Sequence, residues 1–120
     1  MKELSKMTFH EKLLRHIIID YRNDFIGGRE NAYSDYGEEE YNKMYPTPLT
    51  KEDVVNYIYG EIMNGNDQYV TSPHDNTSLE KKHIKFLGSD FVRELIEDRV
   101  QADYEKNGWD FPNNYNGSSK

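Results

Sequence analysis

Glu80-Lys81-Lys82-His83 is the one Glu-x-x-His spacing in the chain. On a helix it sets a carboxylate and an imidazole on one face, as di-iron carboxylate bundles do. Those bundles need a second such pair and two further glutamates, and no second pair exists here. His83 also falls on the apolar side of its helix, which reads as a boundary histidine with one satisfied nitrogen. His16 and Asp20 stand one helical turn apart and suit an ion pair. Zinc generally wants three or four ligands, and neither His10 nor His74 has a companion at metal spacing. His74-Asp75-Asn76 follows Pro73 and leads into Thr77, which is turn chemistry.

Other chemistries fail in the same way. Asp67 or Asp75 with Glu80 and Lys82 matches the acid and acid-x-Lys arrangement of metal-dependent nucleases only nominally, since those acids hang on adjacent strands and Glu80 to Lys82 fall in an expected helix. Gly27-Gly28-Arg29 lacks the Gly-Lys-Ser/Thr ending of a phosphate loop, and no Gly-x-Ser-x-Gly elbow occurs. Asp35 to Glu40 does not alternate acids around a central glycine as a calcium loop does. With no cysteine, thiolate nucleophiles, thiolate metal sites and disulfides are excluded, and a cytoplasmic location is the expectation. No catalytic residue, metal ligand or cofactor is assigned, and an enzyme is not expected.

The elements that carry these residues are helical by period. Thr8 with Glu11 has the spacing of a capping box, and Phe9, Leu13, Ile17, Tyr21 and Phe25 recur every four residues, with Leu14 and Ile18 alongside. Gly27-Gly28 is expected to end this helix. Pro46-Thr47-Pro48 forbids helix; Thr50 caps the next one with Asp53 at its third position, and Leu49 can staple onto Val54. Val54, Val55, Ile58, Ile62 and Met63 form its stripe, and Asn64-Gly65 closes it. Thr77 with Glu80 predicts a third cap before Leu79, His83, Ile84, Phe86 and Leu87. After Gly88, Ser89 or Asp90 is expected to cap a fourth helix carrying Phe91, Val92, Leu95, Ile96, Val100 and Tyr104. Arg93 with Glu97 and Arg99 with Asp103 suit pairs across one turn.

The reading is therefore an all-α fold, a small bundle of about four helices with long connectors, over residues 1–112, with one short strand near Gln68-Thr71 that lacks a nameable partner. Trp109 and Phe111 are expected to plug the bundle, and 113–120 form a flexible tail. The connectors at 27–49 and 64–77 exceed the usual length of about 4–6 residues, which points to function there or to a missed short helix near Glu38 to Tyr45. No run approaches the roughly 18 apolar residues of a membrane span, and Glu11, Lys12, Arg15 and His16 interrupt the stretch after Lys6 that a signal peptide would need.

Charge is the remaining signal. The net −7 is not spread evenly: residues 1–28 hold five basic and four acidic groups, 77–120 seven and eight, and 29–76 three and ten. Within that middle, Asp35, Glu38, Glu39 and Glu40 interleave with Tyr33, Tyr36, Tyr41 and Tyr45. These eight residues are the candidate partner-binding set, because tyrosine is enriched at binding hot spots and fixed carboxylates complement a basic partner. The bland alternative is a solvated loop. A basic groove is most often built to meet phosphates, so the expected partner is a basic protein, such as a nucleic-acid-binding enzyme that this chain inhibits. Anti-restriction and anti-CRISPR proteins of phages and mobile elements share this size and charge, an analogy of composition alone. The competing expectation is a structural or regulatory assembly module acting through helix contacts, with a homodimer as one form. DNA binding ranks third: Lys81, Lys82 and Lys85, extended by Arg93 and Arg99, suggest a basic edge, and residues 77–106 a helix-turn-helix around Gly88-Ser89, but five acids between Asp90 and Asp103 would face the phosphates.

Overall fold

A computed structural model describes residues 8–47, 49–65, 67–74 and 76–108. Its elements are α1 (Phe9–Met44), α2 (Lys51–Asn64), β1 (Tyr69–Thr71), β2 (Ser78–Glu80), α3 (Lys81–Leu87) and α4 (Ser89–Asn107). The fold is mostly helical, a small bundle with one two-stranded antiparallel sheet. The expected Trp109–Phe111 plug and the tail lie outside the described residues.

The start of α1 shows the Thr8 half of the expected capping box, with the Thr8 hydroxyl accepting the Glu11 amide at 3.2 Å. Its end is not. The helix runs straight through Gly27 and Gly28, neither of which takes a left-handed conformation, so the connector expected from residue 27 is helix instead. A helical glycine costs about 1 kcal/mol, whereas burying one large apolar side chain returns about 1.5–3 kcal/mol. Ile26 and Ala32 are buried on either side of the glycines, with Phe25 and Tyr33 packed beside them, and that burial outweighs the local propensity. The break comes at Gly37 (φ 86°, ψ 172°), a region open essentially only to glycine. Glu38–Met44 then resumes the helix, which accounts for the short helix suspected there.

The core lies where α1, α2 and α4 meet. Leu14, Ile17, Ile18 and Ile26 of α1 face Val54, Val55, Ile58 and Ile62 of α2 and Val92, Leu95, Ile96 and Val100 of α4. The apolar stripe read from the sequence is shifted by one position, so Phe9 stands 73% exposed while Leu14 is fully buried. The cap of α2 is complete: Thr50 Oγ1 accepts the Asp53 amide at 3.0 Å, and the Asp53 carboxylate accepts the Thr50 amide at 3.1 Å. Leu49 and Val54 are both buried at that entry.

The strand near Gln68-Thr71 has its partner in β2, where the sequence had placed a helix cap. Val70 pairs with Leu79, and both point inward between exposed or half-buried neighbours, the period-two pattern of a half-buried hairpin. The third helix therefore starts at Lys81, with no capping box at Thr77. Neither Ser89 nor Asp90 occupies a cap either. Gly88 (φ 94°) alone joins α3 to α4, which leaves no room for the three- or four-residue turn of a helix-turn-helix. Among the described residues no helix is long and apolar enough to cross a membrane.

The two kinds of glycine separate in a stability experiment. A Cβ at Gly28 or Gly37 meets no atom within 4 Å, so only backbone conformation matters. Gly28→Ala is expected to stabilise by about 0.5–1 kcal/mol and Gly37→Ala to destabilise by about 1–3 kcal/mol, read from urea denaturation midpoints. Destabilisation by Gly28→Ala would mean that the helix ends there after all.

Candidate functional site

The acidic and tyrosine-rich segment is divided between core and solvent. Tyr41 is 3% exposed and belongs to the buried core, while Tyr33 and Tyr45 pack against it. Tyr33 meets Tyr41 edge to face at 5.9 Å, and Tyr41 lies 5.1 Å from Tyr45. Eight residues span about 12 Å along a straight helix, so the Tyr33–Tyr41 contact reports the change of direction at Gly37. The Arg29 guanidinium sits 4.3 Å over the Tyr45 ring. Outside this aromatic anchor, Ser34 to Glu40 form an unbroken exposed stretch that includes Asp35, Glu38, Glu39, Glu40 and Tyr36, the last 61% exposed. Of the eight residues singled out in the sequence, five face solvent together and three hold them in place. Lys43 approaches Glu40 at 3.3 Å, an exposed pair of little energetic weight.

The histidine pairs make contacts between elements of the fold. His83 lies 3.6 Å from Glu80 and stacks on His10 at 3.9 Å, pinning α3 to the start of α1. His16 approaches Asp20 at 3.4 Å, and the Ser72 hydroxyl donates to the same carboxylate, which is buried. Serine, aspartate and histidine here stand in a different order from a serine–histidine–aspartate triad. The carboxylate is central, so no imidazole stands between it and the serine to take the hydroxyl proton. Their effect is to tie the hairpin loop to α1. One turn on, Asp24 accepts the Tyr57 hydroxyl at 3.4 Å and lies 3.9 Å from His74. Burial first, then the negative charge of Glu61, pushes the Tyr21 and Tyr57 phenols above their usual range. Burial does the same to Tyr41, opposed by Arg29. Among the described residues no three His, Asp or Glu side chains converge to hold a metal.

The supposed basic edge is dispersed. Lys81 Nζ donates to the carbonyl oxygens of Ile62 and Gly65, both at 3.0 Å, and so caps the C-terminal end of α2. Lys82 lies 3.5 Å from Glu80. Arg93 bonds Asn56 at 2.8 Å, approaches Glu97 at 3.5 Å as its spacing implied, and covers the Tyr59 ring. Asp103, expected to serve Arg99, pairs with Arg22 across the α1–α4 contact at 2.5 Å while its charge also acts on Arg99. A groove of 260 Å³ between α2 and α4, lined by Lys51, Glu52, Arg93 and Glu97 over Val55, mixes both signs of charge and favours no particular ligand.

Sequence reasoning missed Ser72 as the partner of Asp20, and Lys81 as a cap. Both contacts join residues far apart in the chain, and the only signal was a serine beside a strand and a lysine at a helix start. Comparison with protein-family models, curated proteins and solved structures finds no match to this chain.

Two outcomes follow from these contacts. Lys81→Met is expected to cost about 1 kcal/mol of stability through the lost cap, and Lys85→Met less than about 0.5 kcal/mol, both read by denaturant titration. The phenols of Tyr21, Tyr41 and Tyr57 bind their protons more tightly folded than unfolded. Their stabilising contribution is therefore whole below the unfolded value of about 10 and is lost as pH rises through the folded values. Alkaline unfolding with a coincident rise in tyrosinate absorbance above pH 10 checks this, and completion of that rise before any loss of helical signal would contradict it.

Proposed function

We propose that this chain is a non-enzymatic interaction protein whose acidic bend, Asp35 to Glu40 around Tyr36, binds a basic protein surface. The supporting observation is the aromatic anchor of Tyr33, Tyr41 and Tyr45, which holds four exposed carboxylates and one exposed tyrosine at the Gly37 break. Carboxylates fixed in this way lose little freedom on binding, so more of the interaction appears as affinity. Tyr36 supplies a large contact with few rotors. The net charge of −7 adds long-range attraction that speeds encounter with a positive surface. A groove built for phosphates is the natural complement, which makes a nucleic-acid-handling protein of the host of a phage or mobile element the favoured partner and inhibition by occupancy the mechanism.

A second reading, an assembly module, draws on Phe86 and Phe9, exposed by 87% and 73% at the end of the bundle where His10 stacks on His83. Sedimentation at micromolar concentration separates it from the first: a Phe86→Ser-sensitive dimer supports the module, and a strict monomer removes it.

For the acidic bend, the basic partner recovered with the tagged chain should be displaced by duplex DNA and should bind more weakly as salt rises. Changing Glu38, Glu39 and Glu40 together to Gln is expected to weaken binding tenfold or more, and Tyr36→Ala by about tenfold, with helical content unchanged. Unaltered affinity after the triple substitution would overturn the reading.

A further inference from the structure

Lys12, Arg15, His16 and Ile19 fall on one face of the first three turns of α1, and with Arg99 of α4 they line an open groove of 260 Å³. Three permanent cations thus meet in a chain whose net charge is −7. Nε of Arg15 and Nε of Arg99 are both buried, and neither has a hydrogen-bond partner among the described residues. Burial, followed by the charge of Arg15, lowers the affinity of Arg99 for its proton, and Asp103 and Asp98 oppose this less strongly. Of the acids near the groove, Asp20 holds His16 and Ser72 and Asp103 holds Arg22, while the charges of Asp103 and Asp98 also reach Arg99 and Glu11 lies buried one turn before Arg15. A folded chain that gathers like charges and leaves their donors unsatisfied has a place for an anion.

We propose that this groove binds a phosphate group, either inorganic phosphate or the headgroup of a small phosphomonoester. Two guanidinium forks and an ammonium offer more donors and more charge than one carboxylate can use, and they match the several edges of a tetrahedral dianion. The groove is smaller than the roughly 300–1,000 Å³ of pockets for drug-sized ligands, so it suits a headgroup, with Ile19 as an apolar wall for the adjoining carbon. The site is separate from the acidic bend, since α1 is unbroken from Arg15 to Tyr36 and those residues stand roughly 30 Å apart along it. It supplies a phosphate-responsive feature that the acidic surface does not need.

The test is a titration of the whole chain with inorganic phosphate and, separately, with glycerol 3-phosphate, followed by amide chemical shifts at constant ionic strength in sodium chloride. Saturable one-to-one binding is expected for at least one of the two, and the tighter one identifies the source of the phosphate. Arg15→Gln and Arg99→Gln should each weaken it tenfold or more. Lys12→Gln, at an exposed position that leaves the fold intact, should weaken it several-fold, and Lys85→Gln on α3 should leave it unchanged. Absence of a saturable response, survival of binding in all three groove variants, or an equal loss with Lys85→Gln would overturn the proposal.

Discussion

Scarcity of large, wholly apolar side chains is the constraint on which this molecule depends. Leu, Ile, Val and Phe together supply only 25 of 120 residues, too few to line three helices along their whole length. The chain meets the shortfall with tyrosine. Tyr41 joins the buried core, and Tyr21, Tyr33, Tyr45, Tyr57 and Tyr59 pack against it. A phenol brings a large ring into the interior while its hydroxyl keeps a polar outlet. Phe25 stacks on Tyr57 at 4.5 Å and Tyr57 reaches Asp24, so one side chain both fills space and satisfies a carboxylate.

That substitution creates the candidate surface. Once Tyr33, Tyr41 and Tyr45 are drawn inward, the acids interleaved with them are left outside at a fixed spacing. The break at Gly37 lets the short return helix bring Tyr41 back onto the bundle. Ring contacts and acid display are thus two sides of one arrangement. Polar ties carry the rest of the architecture. Asp20 fastens the hairpin loop, Lys81 closes α2, and Arg22 with Asp103 bridges α1 and α4. A thin apolar core leaves such ties a larger share of the task of selecting one packing, at the cost of desolvating the groups involved.

Helix starts with local chemistry were legible in the sequence: Thr8 and the Thr50–Asp53 box act within three residues, and both caps form. The helical faces of α2 and α4 were legible too, because apolar period alone sets them. Gly27-Gly28 misled because a local glycine penalty was weighed without the buried neighbours that override it. Thr77-Glu80 misled because a capping-box spelling is also compatible with a two-residue alternation once β1 lies alongside. The eight residues of the candidate surface were recognisable as a composition, but the division into anchors and displayed groups was not, since it depends on the direction the chain takes after Gly37. Arg15 and Arg99 are 84 positions apart, and nothing local announces that they share a groove.

The central claim is that the carboxylates from Asp35 to Glu40 are displayed on an anchored bend and not on a free loop. Amide hydrogen exchange resolved by residue measures this directly. Protection from Arg29 to Tyr36 should match that of the preceding turns of α1, fall at Gly37, and return by the Tyr45 amide, which donates to the Tyr41 carbonyl. Exchange at the free-peptide rate throughout Arg29 to Tyr45 would contradict the account, because the acids would then hang on an unanchored segment.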